Sequence, residues 1–242
     1  MLNLFHDLFA TLAAGCAPLA AVLENDGMWL IYLLLAAGIF LSTGIHEYGH
    51  AWVADRLGDP TPRAAGRVTL APWAHMDGWG TLMIIASALI GMPVGWGKPV
   101  KTDPDLYNVD RRTGIALVAL GGPFMSLLGA VLLAVPARAL LYLLTETRLD
   151  PTAALVVACL FIINAFVILT SLSLAIFNLL PLYPLDGAHV LATLLPQDLS
   201  VVYTRLMKRY GMYLFLGLMG TEVLSKLIAP LVIGLFRWLV GI

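Results

Sequence analysis

The stretch STGIHEYGH, residues 42–50, places two histidines and a glutamate inside an apolar run. Between residues 28 and 54, the only Asp, Glu, Lys, Arg or His residues are His46, Glu47 and His50. The run is long enough for a membrane helix, in which each such group costs a few kcal/mol or more. Because helical residues four apart share one face, the two imidazoles can approach one cation, while the offset Glu47 can hold a water molecule. The stretch therefore predicts a membrane helix that carries half of a metal site.

The composition of the whole chain supports a membrane location. The 242 residues are 60% hydrophobic and 12% charged, about half the charge of ordinary soluble domains. Two uncharged runs, residues 113–137 and 152–185, exceed the roughly 20 residues that cross a bilayer. Neither run alternates apolar and polar residues as barrel strands do. We expect an all-α polytopic membrane protein with about five to six transmembrane helices. The net charge of −1 gives no indication of nucleic-acid binding.

The sequence predicts a single domain over residues 1–242, because it contains no long linker, repeat or low-complexity tract. We divide it into an N-terminal segment (1–27) of open placement, a core (28–190) and C-terminal helices (191–242). No basic region precedes a small-residue cleavage site, so no cleaved signal peptide is expected. Residues 81–94 are apolar but short for a span, which predicts a re-entrant segment. The stretch GRVTL, residues 66–70, predicts a short β element.

The pattern H-E-x-x-H is typical of zinc hydrolases, and catalytic zinc takes a third protein ligand from elsewhere. Asp186 is the strongest candidate, because it follows a long uncharged run and two helix-breaking prolines. Glu222 is a rival acid, although Lys226 four residues later can neutralise it. His189 is either a partner of Asp186 or itself a ligand, and His75, in a loop, is expected to be an ordinary interfacial histidine. The alternative to a metal site is a buried polar cluster that only packs helices.

Several distant motifs resemble the site-2 protease family of intramembrane zinc metalloproteases, in its small form without a PDZ or CBS domain. The resemblance covers the chain from about residue 28 to its C-terminus, and residues 1–25 match no motif of the family. The matching motifs are HEYGH (46–50), GWGKPV (95–100), GGP (121–123) with Ser126, and the stretch from Asn178 to Gly187.

The resemblance implies one Zn²⁺ per chain, with His46, His50 and Asp186 as ligands and Glu47 as the catalytic acid/base. It also implies that Asn178 helps to stabilise the oxyanion during peptide-bond hydrolysis. The implied substrates are membrane proteins with a transmembrane segment, met within the lipid bilayer. One departure is Ser126, where many relatives carry Asn. The oligomeric state is left open.

A shared metal site also constrains the topology. Asp186 must reach the membrane depth of His50, which requires the segment at 81–94 to turn back rather than to span. Ten of the 14 Lys and Arg residues then lie on one side, and by the positive-inside rule this side is cytoplasmic. We expect a prokaryotic cell (inner) membrane protein whose site faces the cytoplasm. These ten are Arg56, Arg63, Arg67, Lys98, Lys101, Arg111, Arg112, Arg205, Lys208 and Arg209.

Two other functions are compatible with buried His, Glu and Asp. An ion or solute transporter uses such groups, but usually shows internal repeats, which are absent here. A catalytically inactive, metal-holding membrane scaffold would not need Glu47. For a protease, an extended substrate could add to a strand edge in 66–70 or in the re-entrant segment. Both stretches can equally be plain connectors.

Overall fold

The protein is all-helical in the part of the chain that the computed structural model describes, residues 28–89, 96–219, 221 and 223–242. Two short 3₁₀ helices, Pro72–His75 and Pro104–Leu106, lie in the connections. The α-helices of these ranges are α1 (Met28–Arg56), α2 (Thr61–Ala64), α3 (Gly78–Leu89), α4 (Arg111–Glu146), α5 (Pro151–Asn178), α6 (Asp186–Leu194), α7 (Gln197–Met219) and α8 (Val223–Val240).

Two long apolar helices, α4 and α5, begin at aspartate N-caps. Asp110 accepts hydrogen bonds from the backbone N–H groups of residues 112 and 113 at the start of α4. Asp150 does the same for residues 152 and 153 at the start of α5. These caps satisfy donors that a helix leaves unpaired, and the apolar sequence then continues each helix. Both α4 and α5 are long and apolar enough to cross a membrane.

The core is a bundle of α1, α4 and α5, against which α8 packs from the α5 side. Phe161, Phe166 and Leu172 of α5 are fully buried at its centre. At the crossing of α1 and α4, a Cβ added to Gly49 would lie 2.2 Å from the carbonyl oxygen of Gly121. Only glycine permits this backbone contact, as in other closely packed membrane helices. The crossing brings the HEYGH turn of α1 directly against α4.

Two arginines of α4 hold the ends of other helices. Arg112 donates to the carbonyl oxygens of Thr193 (2.7 Å) and Leu195 at the end of α6. Arg138 donates to the carbonyl oxygens of Leu239 (2.6 Å) and Trp238 (2.7 Å) at the end of α8. The last carbonyls of a helix have no partner within it, so these guanidinium groups satisfy them. The interaction of Arg112 fixes the position of α6 relative to α4.

The β element predicted at residues 66–70 is wrong. Gly66 adopts a left-handed conformation with φ +67°, and the chain bends at Val68 and Thr69. A strand needs continuous extended backbone and a partner, and this stretch has neither. Within the described ranges, extended backbone pairs only at one antiparallel bridge, which joins Met76 and Gly97.

The structure covers only part of the predicted re-entrant segment. Helix α3 runs to Leu89, and residues 90–95 lie outside the described part. On either side of the segment the chain lies close together, because a Cβ on Gly80 would be 2.1 Å from the carbonyl oxygen of Trp96. The N-terminal segment 1–27 and Glu222 also lie outside the described residues. The number of spans and the division of the chain into three parts stay predictions.

Candidate metal centre

His46 and His50, one turn apart on α1, meet Asp186, the first residue of α6. Asp186 Oδ2 lies 3.1 Å from His46 Nε2 and 3.4 Å from His50 Nε2. The two Nε2 atoms are 3.2 Å apart. The exposed fractions of the three side chains are only 5%, 11% and 18%, respectively. The structure thus brings together the three residues that the sequence singles out from positions far apart in the chain.

The spacing and chemistry of these three atoms fit zinc. Ligand atoms about 2.0–2.2 Å from a tetrahedral zinc ion are about 3.3 Å apart, which is close to all three observed distances. Two imidazole nitrogens and one carboxylate oxygen form a donor set of catalytic zinc sites, which keep the fourth position for water. The cluster can therefore hold one zinc ion.

Each histidine also bonds through its other nitrogen. His50 Nδ1 lies 2.7 Å from the carbonyl oxygen of Val118, which can only accept, so this nitrogen carries the proton. His46 Nδ1 lies 3.1 Å from Oγ of Ser126, a fully buried residue of α4. Such contacts orient the rings and direct both Nε2 atoms at the site. Sequence reasoning left the role of Ser126 open and did not identify Val118, whose contribution is a backbone atom.

Gly122 makes room for the two imidazoles. A Cβ at this position would lie 2.3 Å from His50 Nε2 and 2.8 Å from His46 Cε1. The backbone of α4 therefore forms one wall of the metal site, directly beside the glycine crossing described above. The GGP motif identifies this position in the sequence, but its role follows only from the packing of α4 on α1.

Glu47 faces the same open space as the cluster. A cavity of about 440 Å³ is lined by Glu47 together with the three cluster residues. The carboxylate oxygen Oε2 of Glu47 accepts a hydrogen bond of 3.2 Å from the backbone N–H of Val100. Val100 ends the GWGKPV motif, so the structure connects that motif to Glu47. No sequence argument identified this contact.

The remaining sequence candidates occupy different positions. Asn178 lines the cavity, and its Nδ2 donates to the carbonyl oxygen of Leu174 in its own helix at 2.9 Å. His189 is exposed and lines the cavity, but it is not part of the three-residue cluster. The sequence suggested a loop position for His75 at the membrane interface. The structure buries this side chain completely, with Nε2 2.8 Å from the carbonyl oxygen of Thr69.

Comparison with known proteins agrees with this geometry. Residues 145–218, which include Asp186, match the family model described as Peptidase family M50. The putative zinc metalloprotease YwhC of Bacillus subtilis is 32% identical over 200 residues, covering 83% of this chain and 85% of that relative. The chain belongs to Peptidase family M50. The resemblance to site-2 proteases drawn from the motifs is therefore confirmed.

Other M50 relatives are more distant or longer. The putative zinc metalloprotease Rip2 of Mycobacterium tuberculosis is 35% identical over 163 residues, 65% of this chain and 55% of Rip2. The chain thus spans about half the length of that relative. Rip2 of Mycolicibacterium smegmatis is 28% identical over 210 residues, covering 85% of this chain and 74% of that protein. No solved structure matches the chain.

Membership of the M50 family establishes the general activity. The chain is an intramembrane zinc metalloprotease, and zinc is its cofactor. It is a membrane protein with apolar helices α4 and α5.

Proposed function

We propose that His46, His50 and Asp186 hold the zinc ion and that Glu47 is the general acid/base of peptide-bond hydrolysis. One observation carries this proposal. Three ligand atoms with the spacing of a zinc coordination sphere converge from α1 and α6, and Glu47 faces the same cavity. We further propose that the substrates are transmembrane segments of membrane proteins, in keeping with the apolar helices that surround the site.

The residues of this chain would divide the chemistry as follows. Bound zinc lowers the pKa of water and polarises the scissile carbonyl. Glu47 accepts a proton from the attacking water and later donates it to the leaving amine. The Nδ2 group of Asn178 has two N–H donors, of which the carbonyl oxygen of Leu174 accepts one. The second has no acceptor among the described residues and can stabilise the oxyanion that develops in the cavity.

The substrate must present its scissile bond as extended backbone, because a helix hides its carbonyls in its own hydrogen bonds. We place the docking edge in residues 96–100 rather than in 66–70. This segment is paired with Met76 through Gly97, and its Val100 contacts Glu47. Substituting Gly97 by Pro should abolish cleavage but leave zinc bound. Unchanged cleavage would exclude this edge.

We propose that the site opens towards the cytoplasm and that residues 81–94 form a re-entrant segment in a prokaryotic cell membrane. The close approach of Gly80 and Trp96 supports this topology, because it places the two ends of the segment next to each other, as a segment that turns back requires. The distribution of Lys and Arg supports the orientation. The variant Lys101→Cys tests the orientation with a thiol reagent that does not cross the membrane. The reagent should label inverted vesicles, whose cytoplasmic face is outside, and should not label right-side-out vesicles at this position.

The central experiment compares purified wild type with Glu47→Gln and Asp186→Ala. Zinc content is measured together with cleavage of a model transmembrane substrate in detergent and in liposomes. Glu47→Gln should keep zinc and lose cleavage, while Asp186→Ala should lose both. His189→Gln is the matched control for zinc content, because His189 lines the cavity outside the cluster.

Specific outcomes would contradict the proposal. Full cleavage by Glu47→Gln would refute the role of Glu47. Loss of zinc from His189→Gln with retention in Asp186→Ala would refute the ligand set. Wild type that binds zinc and substrate but never cleaves would indicate a metal-holding scaffold.

A further inference from the structure

Arg67 is a buried cation in the connection between α2 and the Pro72–His75 helix. Only 6% of the surface of Arg67 is exposed. The guanidinium donates to three backbone carbonyl oxygens, those of Ala74, Lys98 and Pro99, the last at 3.1 Å. None of the ion pairs among the described residues includes Arg67. Among the described residues, the hydrogen bonds of the Arg67 guanidinium all go to backbone carbonyl oxygens.

The three carbonyls belong to two segments that lie on opposite sides of α3 in the sequence. Ala74 precedes α3, whereas Lys98 and Pro99 follow it. The two segments also pair directly, since Lys98 N donates to the carbonyl oxygen of His75 at 2.8 Å. Arg67 thus fastens the returning chain, residues 96–100, onto the chain that enters α3.

The fastened segment lies against Glu47. Val100, next to Pro99, donates its backbone N–H to Glu47 Oε2 at 3.2 Å. A Cβ on Gly97 would lie 2.6 Å from Thr43 Cγ2 and 3.4 Å from Glu47 Cγ, so the segment packs closely along α1. A shift of residues 98–100 would therefore move the donor that holds the Glu47 carboxylate.

Arginine suits this position for a geometric reason. A guanidinium presents five N–H donors in a rigid fork and can bond several carbonyls in fixed directions. A lysine ammonium is a compact charge on a flexible stem and cannot reproduce that fork. Burial lowers the pKa of Arg67, and the nearby negative charge of Glu47 opposes that effect.

We propose that Arg67 is a positioning residue for the peptidase reaction, because it holds the Lys98–Val100 backbone where the Val100 N–H fixes the Glu47 carboxylate. The inference rests on the proposed role of Glu47 and extends it to a residue outside the cavity. Arg67 contacts neither the cluster of His46, His50 and Asp186 nor the cavity that this cluster lines. It acts on the reaction only through the chain that it fastens.

The test measures kcat, KM, zinc content and thermal unfolding for Arg67→Ala and Arg67→Lys. Both should lower kcat by about 100-fold, the effect of a displacement of about 1 Å at a reacting group. Zinc content should stay near wild type, and KM should rise less than kcat falls, since residues 98–100 also belong to the proposed docking edge. The control is Arg63→Ala, which removes a surface arginine of the neighbouring helix α2 that pairs with Asp55. It should leave kcat unchanged.

A backbone variant tests the same contact without touching Arg67. Val100→Pro removes the N–H that Glu47 accepts, and Val100→Ala keeps it, so the ratio of their kcat values isolates that donor. We expect a similar loss of about 100-fold for Val100→Pro relative to Val100→Ala. This comparison decides the inference if the Arg67 variants fail to fold.

A double-mutant cycle separates positioning from a general structural role. In the Glu47→Gln background, Arg67→Ala should reduce the residual cleavage no further, because its effect passes through Glu47. An independent loss in that background, or loss of zinc together with kcat, would overturn the inference. So would wild-type kcat in Arg67→Ala while Glu47→Gln is inactive. An active Glu47→Gln enzyme would instead overturn the proposed function.

Discussion

Helix α1 contributes to two cavities of similar size but different chemistry. One, of about 440 Å³, is lined by His46, His50 and Asp186 together with Glu47. The other, of about 540 Å³, is lined almost entirely by aliphatic residues and includes Ile45, the neighbour of His46 in the chain. Its polar residue is Asn164, whose Oδ1 is buried without a hydrogen-bond partner among the described residues. Volume therefore does not identify the functional site, whereas the convergence of bonded polar groups does.

The largest effect is expected from one methyl group added to α4 beside His46 and His50, in comparison with one added beside Ile45. Gly122→Ala places a Cβ 2.3 Å from His50 Nε2, whereas Gly129→Ala on the same helix places one 3.3 Å from Ile45 Cγ2. Gly122→Ala should weaken zinc binding by at least about 100-fold. Gly129→Ala should leave zinc binding unchanged, because the end of the Ile45 side chain can shift. Competition with a zinc chelator measures both, and equal affinities would contradict the role of Gly122.

A smaller effect is expected from the serine behind His46. Ser126→Ala removes the partner of His46 Nδ1 and should weaken zinc binding by about 10-fold. Ser171 is the matched control, because it is equally buried but bonds to Ser42. Ser171→Ala should change stability without changing zinc affinity. Identical zinc affinities for wild type and Ser126→Ala would show that Ser126 only packs.

Arg112 and Arg138 make similar hydrogen bonds to the carbonyls at the ends of two different helices, α6 and α8. Arg112→Ala and Arg138→Ala should each lower the free energy of unfolding by about 2 kcal/mol, since each removes charged hydrogen bonds to helix carbonyls. Only Arg112→Ala should also lower zinc affinity, because α6 begins at Asp186. Reversible unfolding in detergent and chelator competition test this distinction. A loss of zinc affinity in Arg138→Ala would contradict it.

The smallest effect is expected in the apolar cavity. Asn164→Leu removes a buried acceptor that has no partner in the described part of the chain and should raise the free energy of unfolding by about 1 kcal/mol. The lost bond from Nδ2 to the carbonyl oxygen of Leu133 contributes little, because that carbonyl lies within α4. Cleavage and zinc binding should not change. A loss of cleavage would show that the apolar cavity takes part in function.

The predicted features that depend on local sequence agree with the structure. The HEYGH turn is helical, its two histidines share one face, and Asp186 begins a helix after the proline-containing break. The motif-based assignment to a zinc protease family is confirmed by the M50 relatives. The assignments of His46, His50 and Asp186 as zinc ligands and of Glu47 and Asn178 as catalytic residues stay predictions.

The predictions that failed depended on contacts between distant segments. The stretch at 66–70 has strand-like composition but bends at Gly66 and turns the side chain of Arg67 inward. His75 has a loop sequence around it, yet its side chain is fully buried. Composition describes what a segment prefers in isolation, and burial by a returning segment can override that preference.

By itself, the sequence determined the chemistry that this protein carries. Two histidines at helical spacing, a neighbouring Glu and a distant Asp in apolar surroundings are costly in a membrane unless they bind something, and helical periodicity is local. Only the tertiary structure decided what supports those groups. The Val118 carbonyl, the Val100 N–H and the space at Gly122 depend on how α4 and the returning chain pack on α1. Backbone groups occur at every residue, so their role follows from packing alone.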